Sequence, residues 1–477
     1  MLVALLLPIL LGLAVPLLAG PFPAHRSLAQ IGLGLAGLAW AAAVLVSRRV
    51  GDSLALRWAI LGGALCLRVA VAAGDPRLSD DVERYLWEGA LVAEGTSPYA
   101  FAPSSPERAP QRRRWPEVYA GVNHADVSAA YPPAAQAAFA AVLGVSGGVE
   151  DGGARARKGM RLLFTLCDLA VLGLLLTVMG RRGPTPAPAV LWGWSPLVAL
   201  EFAGSAHFDS LGILLLLAAA LALDRGERTV RARDDDRRRG AENVGLLCLM
   251  TSALVKLLPI AFLPFALRDV ARRDFRDHMA FRGAGRAVRA ALLVVAVSTL
   301  WFLWMLSLEG GLRGIARGAS EYALRWESFS LLYRWIERPL ALLLASDGGP
   351  LDVRRVARGL VLLAWLGILL QSWRRGASVL DASLPVIGGF LLLTPTLHPW
   401  YLTWAMPFLA LRPSLSWIFL VAVAPLLYWP LTEWQERGEW LEPGWLWSVV
   451  ALPFLALLGL EWVRDARRIA SDGRNAR

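Results

Sequence analysis

Long apolar runs separated by short polar segments make up most of the chain. A helix that crosses a bilayer needs about 20 apolar residues. Runs of about this length lie at 2–20, 30–47, 55–74, 160–180, 208–224, 287–308, 378–397, 414–430 and 445–463, and shorter or interrupted runs lie at 131–147, 188–203, 244–267, 358–373 and 400–412. The pattern predicts an all-α fold, a polytopic transmembrane helical bundle with about 12–15 membrane helices, which we treat as a single integral-membrane domain, 1–477.

Basic residues between the apolar runs predict the orientation of the chain. They bunch in four places, at 48–49, 231–239, 272–289 and 464–477. Loops rich in arginine stay on the cytoplasmic side of a membrane. We therefore expect loops 75–130 and 309–357 to be extracytoplasmic, the tail 464–477 to be cytoplasmic, and the protein to cross the plasma (inner) membrane many times.

Two stretches do not fit this alternation of sides. Segment 244–267 has cytoplasmic flanks at both ends, so we expect a hairpin of two short helices that turns near Lys256 and Pro259. Segment 131–187 contains one crossing too many or too few, and the sequence leaves its path open.

Composition supports a membrane protein. Apolar residues make up 56% of the 477 residues and charged residues only 18%, where about 25% charged residues is usual. These values exclude a disordered chain, a collagen-like chain and a conventional cytosolic enzyme. The net charge of +11 is confined to the loops, which argues against nucleic-acid binding.

The loop 75–130 carries the pattern that points to chemistry. A Ser-Asp-Asp helix start at 79–81 precedes apolar residues at 82, 85, 86, 90 and 92, the stripe of an amphipathic juxtamembrane helix. Asp80 and Asp81 stand at the helix N-terminus, where backbone N–H groups favour anions. Either carboxylate can act as a general base there. The alternative is a pair of helix-capping residues on a solvated loop.

Several short motifs resemble one enzyme family. They are Ser-Asp-Asp-Val-Glu-Arg-Tyr-Leu-Trp-Glu-Gly at 79–89, Ser-Pro-Tyr at 97–99, Tyr-Pro-Pro-Ala-Ala-Gln at 131–136, Leu-Leu-Pro at 257–259 and Thr-Pro-Thr-Leu-His-Pro-Trp-Tyr at 394–401. Together they resemble the GT-C fold integral-membrane glycosyltransferases, in the bacterial mannosyltransferase-like branch, over about residues 55–430. One departure is the pair of apolar runs 2–20 and 30–47, where many relatives have a single helix.

The resemblance implies a glycosyltransferase that uses a polyprenyl-phosphate sugar. It would move a mannose-like hexose to a lipid-linked or cell-envelope acceptor on the extracytoplasmic face. The acidic residue that the family uses as catalytic base corresponds to Asp80 or Asp81. A single displacement at the anomeric carbon would invert the configuration. We expect no cofactor, since the sequence does not support a metal site, and no nucleic-acid partner.

Further residues are candidates for donor or substrate binding. Lys256 lies within an apolar run, where a charge normally faces a cavity or a partner. It serves either the donor phosphate or a structural ion pair. His207 and Asp209 could bind sugar or phosphate, cap a helix, or hold a metal, although two ligands are few for a metal site. His398 beside Trp400 and Tyr401 fits a sugar site or an interfacial aromatic belt, and Tyr85 and Tyr131 of the motifs complete the set of candidates.

Two other functions compete with a transferase. A lipid-linked sugar transporter or flippase would also have broken helices and an intramembrane lysine, although paired halves with matching interruptions are not apparent in the sequence. A polysaccharide polymerase or ligase would rely on external arginine and histidine rather than on two aspartates.

Overall fold

The computed structural model describes residues 2–18, 26–74, 78–182, 185–229, 235–275, 280–344 and 350–475. Within these ranges the protein consists of helices and connecting segments, with no β-strand, which confirms the predicted all-α class. Small parts of the predicted loops and tail lie outside the described residues, namely 75–77, 230–234, 276–279, 345–349 and 476–477.

The chain divides into two compact units. Unit 1 comprises Met1–Leu78, Leu172–Gly204 and His398–Arg477, and unit 2 comprises Ser79–Val171 and Ser205–Leu397. Helices are numbered here in chain order, and α8 (Ala154–Arg182) is divided between the two units. The predicted treatment of 1–477 as one membrane domain stays a prediction.

Unit 1 is built from ten further α-helices. They are α1 (Leu6–Leu18), α2 (Arg26–Ser47), α3 (Leu54–Gly74), α9 (Val190–Gly193), α10 (Pro196–Ala199), α19 (Met406–Leu411), α20 (Leu415–Val423), α21 (Trp429–Arg437), α22 (Gly444–Leu446) and α23 (Leu452–Asn475). Glycines allow its helices to approach closely. A Cβ atom at Gly37 of α2 would lie 2.0 Å from the Ala422 carbonyl oxygen of α20, so these two backbones touch as in other membrane helix pairs.

Unit 2 contains the remaining α-helices. They are α4 (Asp81–Ala93), α5 (Ala109–Arg114), α6 (Pro116–Gly121), α7 (Pro133–Ser146), α11 (Asp209–Thr229), α12 (Asp235–Val255), α13 (Leu263–Phe275), α14 (Ala280–Ser307), α15 (Gly311–Arg325), α16 (Tyr333–Leu344), α17 (Pro350–Arg374) and α18 (Val379–Leu393). The candidate catalytic residues lie in this unit, at the start of α4.

Five helical segments of the described chain are long and apolar enough to cross a membrane. They are Ala29–Ser47, Leu54–Gly74, Ala154–Arg181, Leu415–Trp434 and Gly444–Arg467. Shorter apolar helices follow at Val3–Ala14, Pro133–Ser146, Val288–Trp304 and Val379–Leu393. The protein is therefore a polytopic helical protein, and the predicted count of about 12–15 membrane helices stays a prediction.

Helix α4 begins where the sequence predicts, at Asp81. Its apolar stripe includes Val82, Tyr85 and Leu86, which are buried in a core shared with Phe139 of α7. Gly89 allows the close approach, since a Cβ atom there would lie 2.9 Å from the Phe139 carbonyl carbon. The amphipathic helix therefore turns its stripe onto protein, and this packing fixes the position of the two aspartates at its start.

Segment 244–267 is interrupted near Lys256 as predicted, but α12 has 21 residues and is longer than the short helix of the predicted hairpin. Helix α12 ends at Val255, and the chain resumes as a 3-10 turn at Leu258–Phe262 and then as α13. Lys256 lies in the break itself. Its backbone N–H still donates to the Ser252 carbonyl at 3.0 Å, so the lysine stands on the last turn of α12 rather than in the middle of a helix.

Ion pairs in unit 2 place the start of α8 relative to the 75–130 loop. Helix α7 has 14 residues, a length of about 21 Å at 1.5 Å per residue, which is shorter than a bilayer core of about 30 Å. At the start of α8, Arg157 Nε donates to Glu83 Oε1 of α4 at 2.7 Å. Glu150 accepts from Arg114 Nη2 at 3.0 Å. The start of α8 therefore lies beside the 75–130 loop, and the number of crossings within 131–187 stays a prediction.

Three glycines spaced by four residues, Gly310 just before α15 and Gly314 and Gly318 within it, pack against the 75–130 loop. Cβ atoms at Gly310, Gly314 and Gly318 would lie 2.6 Å from Ala100 Cα, 2.2 Å from the Tyr99 carbonyl oxygen and 2.6 Å from the Ala129 carbonyl oxygen. We call Gly310, Gly314 and Gly318 the glycine face of α15. Only residues without a side chain permit this backbone contact.

Candidate active site

The Asp80 and Asp81 carboxylates share one hydrogen-bond donor at the start of α4. Asp80 is the N-cap residue of α4, yet among the described residues its side chain makes no capping bond. The hydroxyl of Ser79 accepts from the Asp81 backbone N–H at 3.2 Å instead. Each carboxylate accepts a hydrogen bond from the same side-chain amide nitrogen, Asn123 Nδ2, at 2.7 Å from Asp80 Oδ1 and 2.7 Å from Asp81 Oδ1. For Asp80 this geometry argues against the capping interpretation.

A buried arginine holds the loop that carries Asn123. Arg84 donates from Nη1 to the carbonyl oxygens of Asn123 and His124, both at 3.2 Å, and from Nη2 to that of Val127 at 2.7 Å. Its Nε donates to Glu88 Oε1 at 2.8 Å. The arginine therefore adds to the backbone bonds of this irregular loop, in which the Val127 N–H also donates to the His124 carbonyl at 2.9 Å.

Glu88 is in turn held from the neighbouring helix. Gln136 Nε2 of α7 donates to Glu88 Oε2 at 2.6 Å, and Glu88 and Gln136 are 1% and 0% exposed. A buried charge pair that lost one partner would be strongly destabilised. We call Arg84, Glu88 and Gln136 the buried clamp, because it fixes the Asn123 loop against α4.

The protein surroundings change the acidity of Asp80. Displacement of water raises the pKa of the Asp80 carboxyl, and the negative charge of Asp81 raises it further. The hydrogen bond from Asn123 acts in the opposite direction and lowers that pKa. A carboxylate whose pKa is raised binds a proton more strongly, which suits a general base that works near neutral pH.

Two further sequence candidates lie around the carboxylate pair. His207 Nε2 is 3.5 Å from Asp81 Oδ2, and the histidine is 1% exposed. Two positions later Asp209 begins α11, and its Oδ1 accepts from Lys256 Nζ at 2.6 Å. The structure therefore brings together residues from α4, the start of α11 and the end of α12.

The ion pair of Asp209 and Lys256 is unequal in exposure. The Asp209 side chain is 1% exposed, whereas that of Lys256 is 27% exposed. The ammonium group also lies 5.5 Å from the centre of the Phe208 ring, a distance at which a cation is attracted by the ring face. Lys256 thus pairs with a buried carboxylate, while part of its own side chain remains exposed.

Aromatic rings form the wall behind these residues. Tyr85 stacks on Phe139 at 4.6 Å between ring centres and meets Tyr131 and Phe208 edge-on at 5.6 and 5.4 Å. The hydroxyl of Tyr99 donates to the Tyr131 carbonyl at 2.9 Å. Tyr85 is 1% exposed, so its visible role is packing, and its contact with substrate stays a prediction.

Two residues in the described chain that are not glycine have a positive φ, and each neighbours a site residue. His124 follows Asn123 with a φ of 44°, and Ala206 precedes His207 with a φ of 59°. Such conformations cost free energy and concentrate at functional sites. The His124 ring also meets the Trp326 ring edge-on at 4.3 Å, so a residue of the 309–357 loop reaches this site.

His398 belongs to unit 1, whereas the other candidates lie in unit 2. Its ring stacks on Trp400 at 4.3 Å and meets Tyr401 edge-on at 5.5 Å. Both the sugar-site and the aromatic-belt interpretations of His398 remain predictions. Among the described residues, no group of three or more His, Cys, Asp or Glu side chains is arranged to hold a metal ion.

Sequence reasoning missed Asn123 and the buried clamp. Asn123 lies in a loop without periodicity, so nothing in its local pattern distinguishes it from an ordinary turn residue. Arg84 and Glu88 were visible within the 79–89 motif and have the spacing of a helical ion pair. That pair was the one signal that could have indicated a structural role for the motif.

Comparison with known proteins identifies the family. The sequence model described as "Alpha-(1->6)-mannopyranosyltransferase, N-terminal domain" matches residues 12–272, more than half of the chain. The chain belongs to the alpha-(1->6)-mannopyranosyltransferase family. The predicted resemblance to bacterial mannosyltransferase-like membrane enzymes is thereby confirmed, and the protein is a membrane glycosyltransferase.

Two curated relatives agree with this assignment. The chain is 24% identical to alpha-(1->6)-mannopyranosyltransferase A of Mycobacterium tuberculosis over 471 residues, which cover 92% of this chain and 81% of the relative. It is 25% identical to alpha-(1->6)-mannopyranosyltransferase B of Corynebacterium glutamicum over 361 residues, which cover 72% of this chain and 56% of that relative. No solved structure matches the chain.

Proposed function

We propose that the enzyme transfers a mannosyl residue from a polyprenyl-phosphate donor to a lipid-linked or cell-envelope glycan. The observation that carries the proposal is the pair of carboxylates at the start of α4, which share Asn123 and face His207 in a member of a mannosyltransferase family. The names of both relatives support mannose as the sugar and an α-(1→6) bond as the product.

In this proposal one aspartate is the general base. The acceptor hydroxyl gives its proton to the carboxylate of Asp80 or Asp81, and its oxygen forms a bond to the anomeric carbon. The bond from that carbon to the phosphate oxygen breaks, and the phosphate leaves with the electron pair. The raised pKa of Asp80 is compatible with a role as proton acceptor.

A single displacement has a stereochemical consequence. The acceptor oxygen enters opposite the leaving phosphate, so the configuration at the anomeric carbon inverts. An α-linked product therefore requires a β-linked polyprenyl-phosphate donor. A donor of the α configuration is expected to be inert, which distinguishes this route from one through a covalent intermediate.

Lys256 is placed in the proposal at the leaving phosphate. Negative charge grows on the phosphate as the bond breaks, and a nearby cation stabilises that state. An ammonium group carries three donors, and the buried Asp209 carboxylate orients it at 2.6 Å. The two interpretations of Lys256, ion pair and phosphate ligand, are thus compatible, with His207 as a further donor beside the carboxylates.

We place this chemistry on the extracytoplasmic face of the plasma membrane. The arginine-rich loops support that orientation under the positive-inside rule. No cofactor is part of the proposal, because the carboxylate, the lysine and the donor supply every group that the displacement needs.

Transfer by purified enzyme in proteoliposomes tests the proposal. Vesicles contain a β-linked polyprenyl-phosphate mannose and a mannose oligosaccharide acceptor, and the product linkage is read by mass spectrometry and NMR. Asp80→Asn and Asp81→Asn preserve size, and the loss of the base should lower the rate about 10²–10⁴-fold in at least one of them. The exposed Glu107→Gln is the matched control and should retain the wild-type rate.

Two outcomes would contradict the proposal. Transfer at the wild-type rate by both aspartate variants removes the general base. Movement of the intact lipid-linked sugar across the vesicle membrane without a glycosidic product would indicate the transporter alternative instead.

A further inference from the structure

We infer that Asn123 is a positioning residue that holds the Asp80 and Asp81 carboxylates together as one proton-accepting pair. The inference rests on the proposed function, since it assigns a role within the same reaction. Asn123 is given no contact with the donor or the acceptor sugar in the proposed displacement and acts through the two aspartates.

The geometry at the amide is specific. A side-chain amide nitrogen has two N–H groups, and Asn123 Nδ2 lies 2.7 Å from one oxygen of each carboxylate. Adjacent negative charges repel each other and would turn apart in the absence of a shared donor. One residue therefore orients both carboxylates. The second oxygen of each carboxylate lies outside this contact.

The neutrality of the amide matters for basicity. A lysine or arginine in this place would lower the pKa of an adjacent aspartate by about 1–3 units and weaken it as a base. The amide bond lowers the pKa of Asp80 less than desolvation and Asp81 raise it, so the net shift is upward. Asn123 thus fixes the geometry and leaves the carboxylates basic.

The surroundings of Asn123 are built to keep it in place. The buried clamp holds its carbonyl from behind through Arg84, and the next residue, His124, adopts a left-handed conformation. Preorganisation of this kind is what a catalytic group requires from its supporting residues. A loop residue with a merely solvated side chain would not need a buried arginine.

The titratable groups around the pair come from several segments. On α4 they are Tyr85 and the Arg84–Glu88 pair, and from the other segments they are His124, His207, and Asp209 with Lys256. Burial lowers the pKa of His124, and the charge of Arg84 lowers it further. Because Asp80 and Asp81 interact, the acid limb of the pH profile reports an apparent pKa of the pair.

The pH profile of Asn123→Ala tests the inference. A general base works in its deprotonated form, so kcat/KM rises with pH through the apparent pKa of the pair. Loss of the amide donors should raise that pKa and move the acid limb to higher pH. A rise of about one unit in this pKa lowers kcat/KM about tenfold at pH values below the pKa. At pH values well above the pKa the decrease is much smaller. Asn123→Asp, which keeps the shape and adds a negative charge, should shift the limb further.

The same loop supplies the control. Asp126→Asn changes an exposed residue three positions along the chain and should leave the limb at the wild-type pH. Should Asn123→Ala fail to fold, as judged by gel filtration and thermal unfolding in detergent, Asn123→Ser retains one donor and should give a smaller upward shift. An acid limb at the wild-type pH in a folded Asn123 variant overturns the inference, whatever the rate.

Failure of the inference is distinguishable from failure of the proposed function. Active Asp80→Asn and Asp81→Asn variants would end both. Inactive aspartate variants together with an unshifted Asn123→Ala profile would leave the general base in place and remove only the positioning role.

Discussion

Lys256 and Asp209 illustrate how one contact changes what a substitution should do. An isolated intramembrane lysine could be replaced by methionine with little harm to folding. The 2.6 Å bond to Asp209 changes this expectation, because the substitution would leave a carboxylate that is 1% exposed without its cation. Breaking a buried pair on one side costs about 3–5 kcal/mol.

We predict that Lys256→Met lowers the unfolding temperature of the enzyme in detergent, and that Lys256→Met with Asp209→Asn restores it. If Lys256 also holds the donor phosphate, the double variant should fold and still transfer sugar slowly, with weakened donor binding. Thermal unfolding and transfer kinetics measured on the same preparations separate the two effects. A stable double variant with wild-type kinetics would show that the pair serves only the fold.

The residues of the site differed in how far sequence could predict them. Asp80 and Asp81 stand at a helix start, and the break at Lys256 follows from charges on both flanks. The contacts between α4, α11 and α12 could not be predicted, because residues 81, 207 and 256 meet only through the packing of helices far apart in the chain. Asn123 contributes to no periodic pattern, so only the fold reveals it.

Among the helices, the positions of α7 and α15 are determined by specific close contacts more than by the length of their apolar runs. Helix α7 is mostly apolar, and its short length became informative only with the Arg157–Glu83 bond at the start of α8. Helix α15 has a pattern of small residues that is visible in the sequence, yet its partner is the irregular backbone at Tyr99 and Ala129. A pattern of glycines can indicate close approach without naming the surface that is approached.

The glycine face of α15 gives a direct test. A methyl group at Gly314 would lie 2.2 Å from the Tyr99 carbonyl oxygen. Backbone atoms cannot move aside without a cost in folding free energy. We predict that Gly314→Ala destabilises the protein by about 1–3 kcal/mol and reduces transfer, because the 309–357 loop is displaced. The control is Gly367→Ala in α17, which has nothing within 4 Å and should not lower the unfolding temperature. Equal unfolding temperatures for both variants would contradict the contact.

For the molecule as a whole, the orientation in the membrane determines which compartment the proposed active site faces. The ion pairs Arg157–Glu83 and Arg114–Glu150 bring the turn between α7 and α8 to the side on which the 75–130 loop lies. We therefore predict that α8 crosses once and that the remaining arginine-rich loops lie on the opposite side. The active site and the turn at 147–153 should therefore face the same compartment.

Cysteine labelling measures this arrangement. In a variant without the three native cysteines, single cysteines at Ser104 and Ala154 should react with an impermeant thiol reagent added to intact cells. A cysteine at Ala466 in the tail should react only after permeabilisation. All three positions are exposed, so access depends on the side of the membrane. Labelling of Ala154 only from the cytoplasm would contradict the short path of α7.

The glycine face of α15 also matters for imaging the enzyme. At 51.8 kDa the chain is small for single-particle electron microscopy, where particles are aligned by rigid features outside the detergent belt. Backbone contact at Gly310, Gly314 and Gly318 fixes α15 to the first loop without intervening side chains. An antibody fragment selected against the arginine-bearing side of α15, at Arg313 and Arg317, would therefore be a rigid alignment marker for the unit that contains the aspartates.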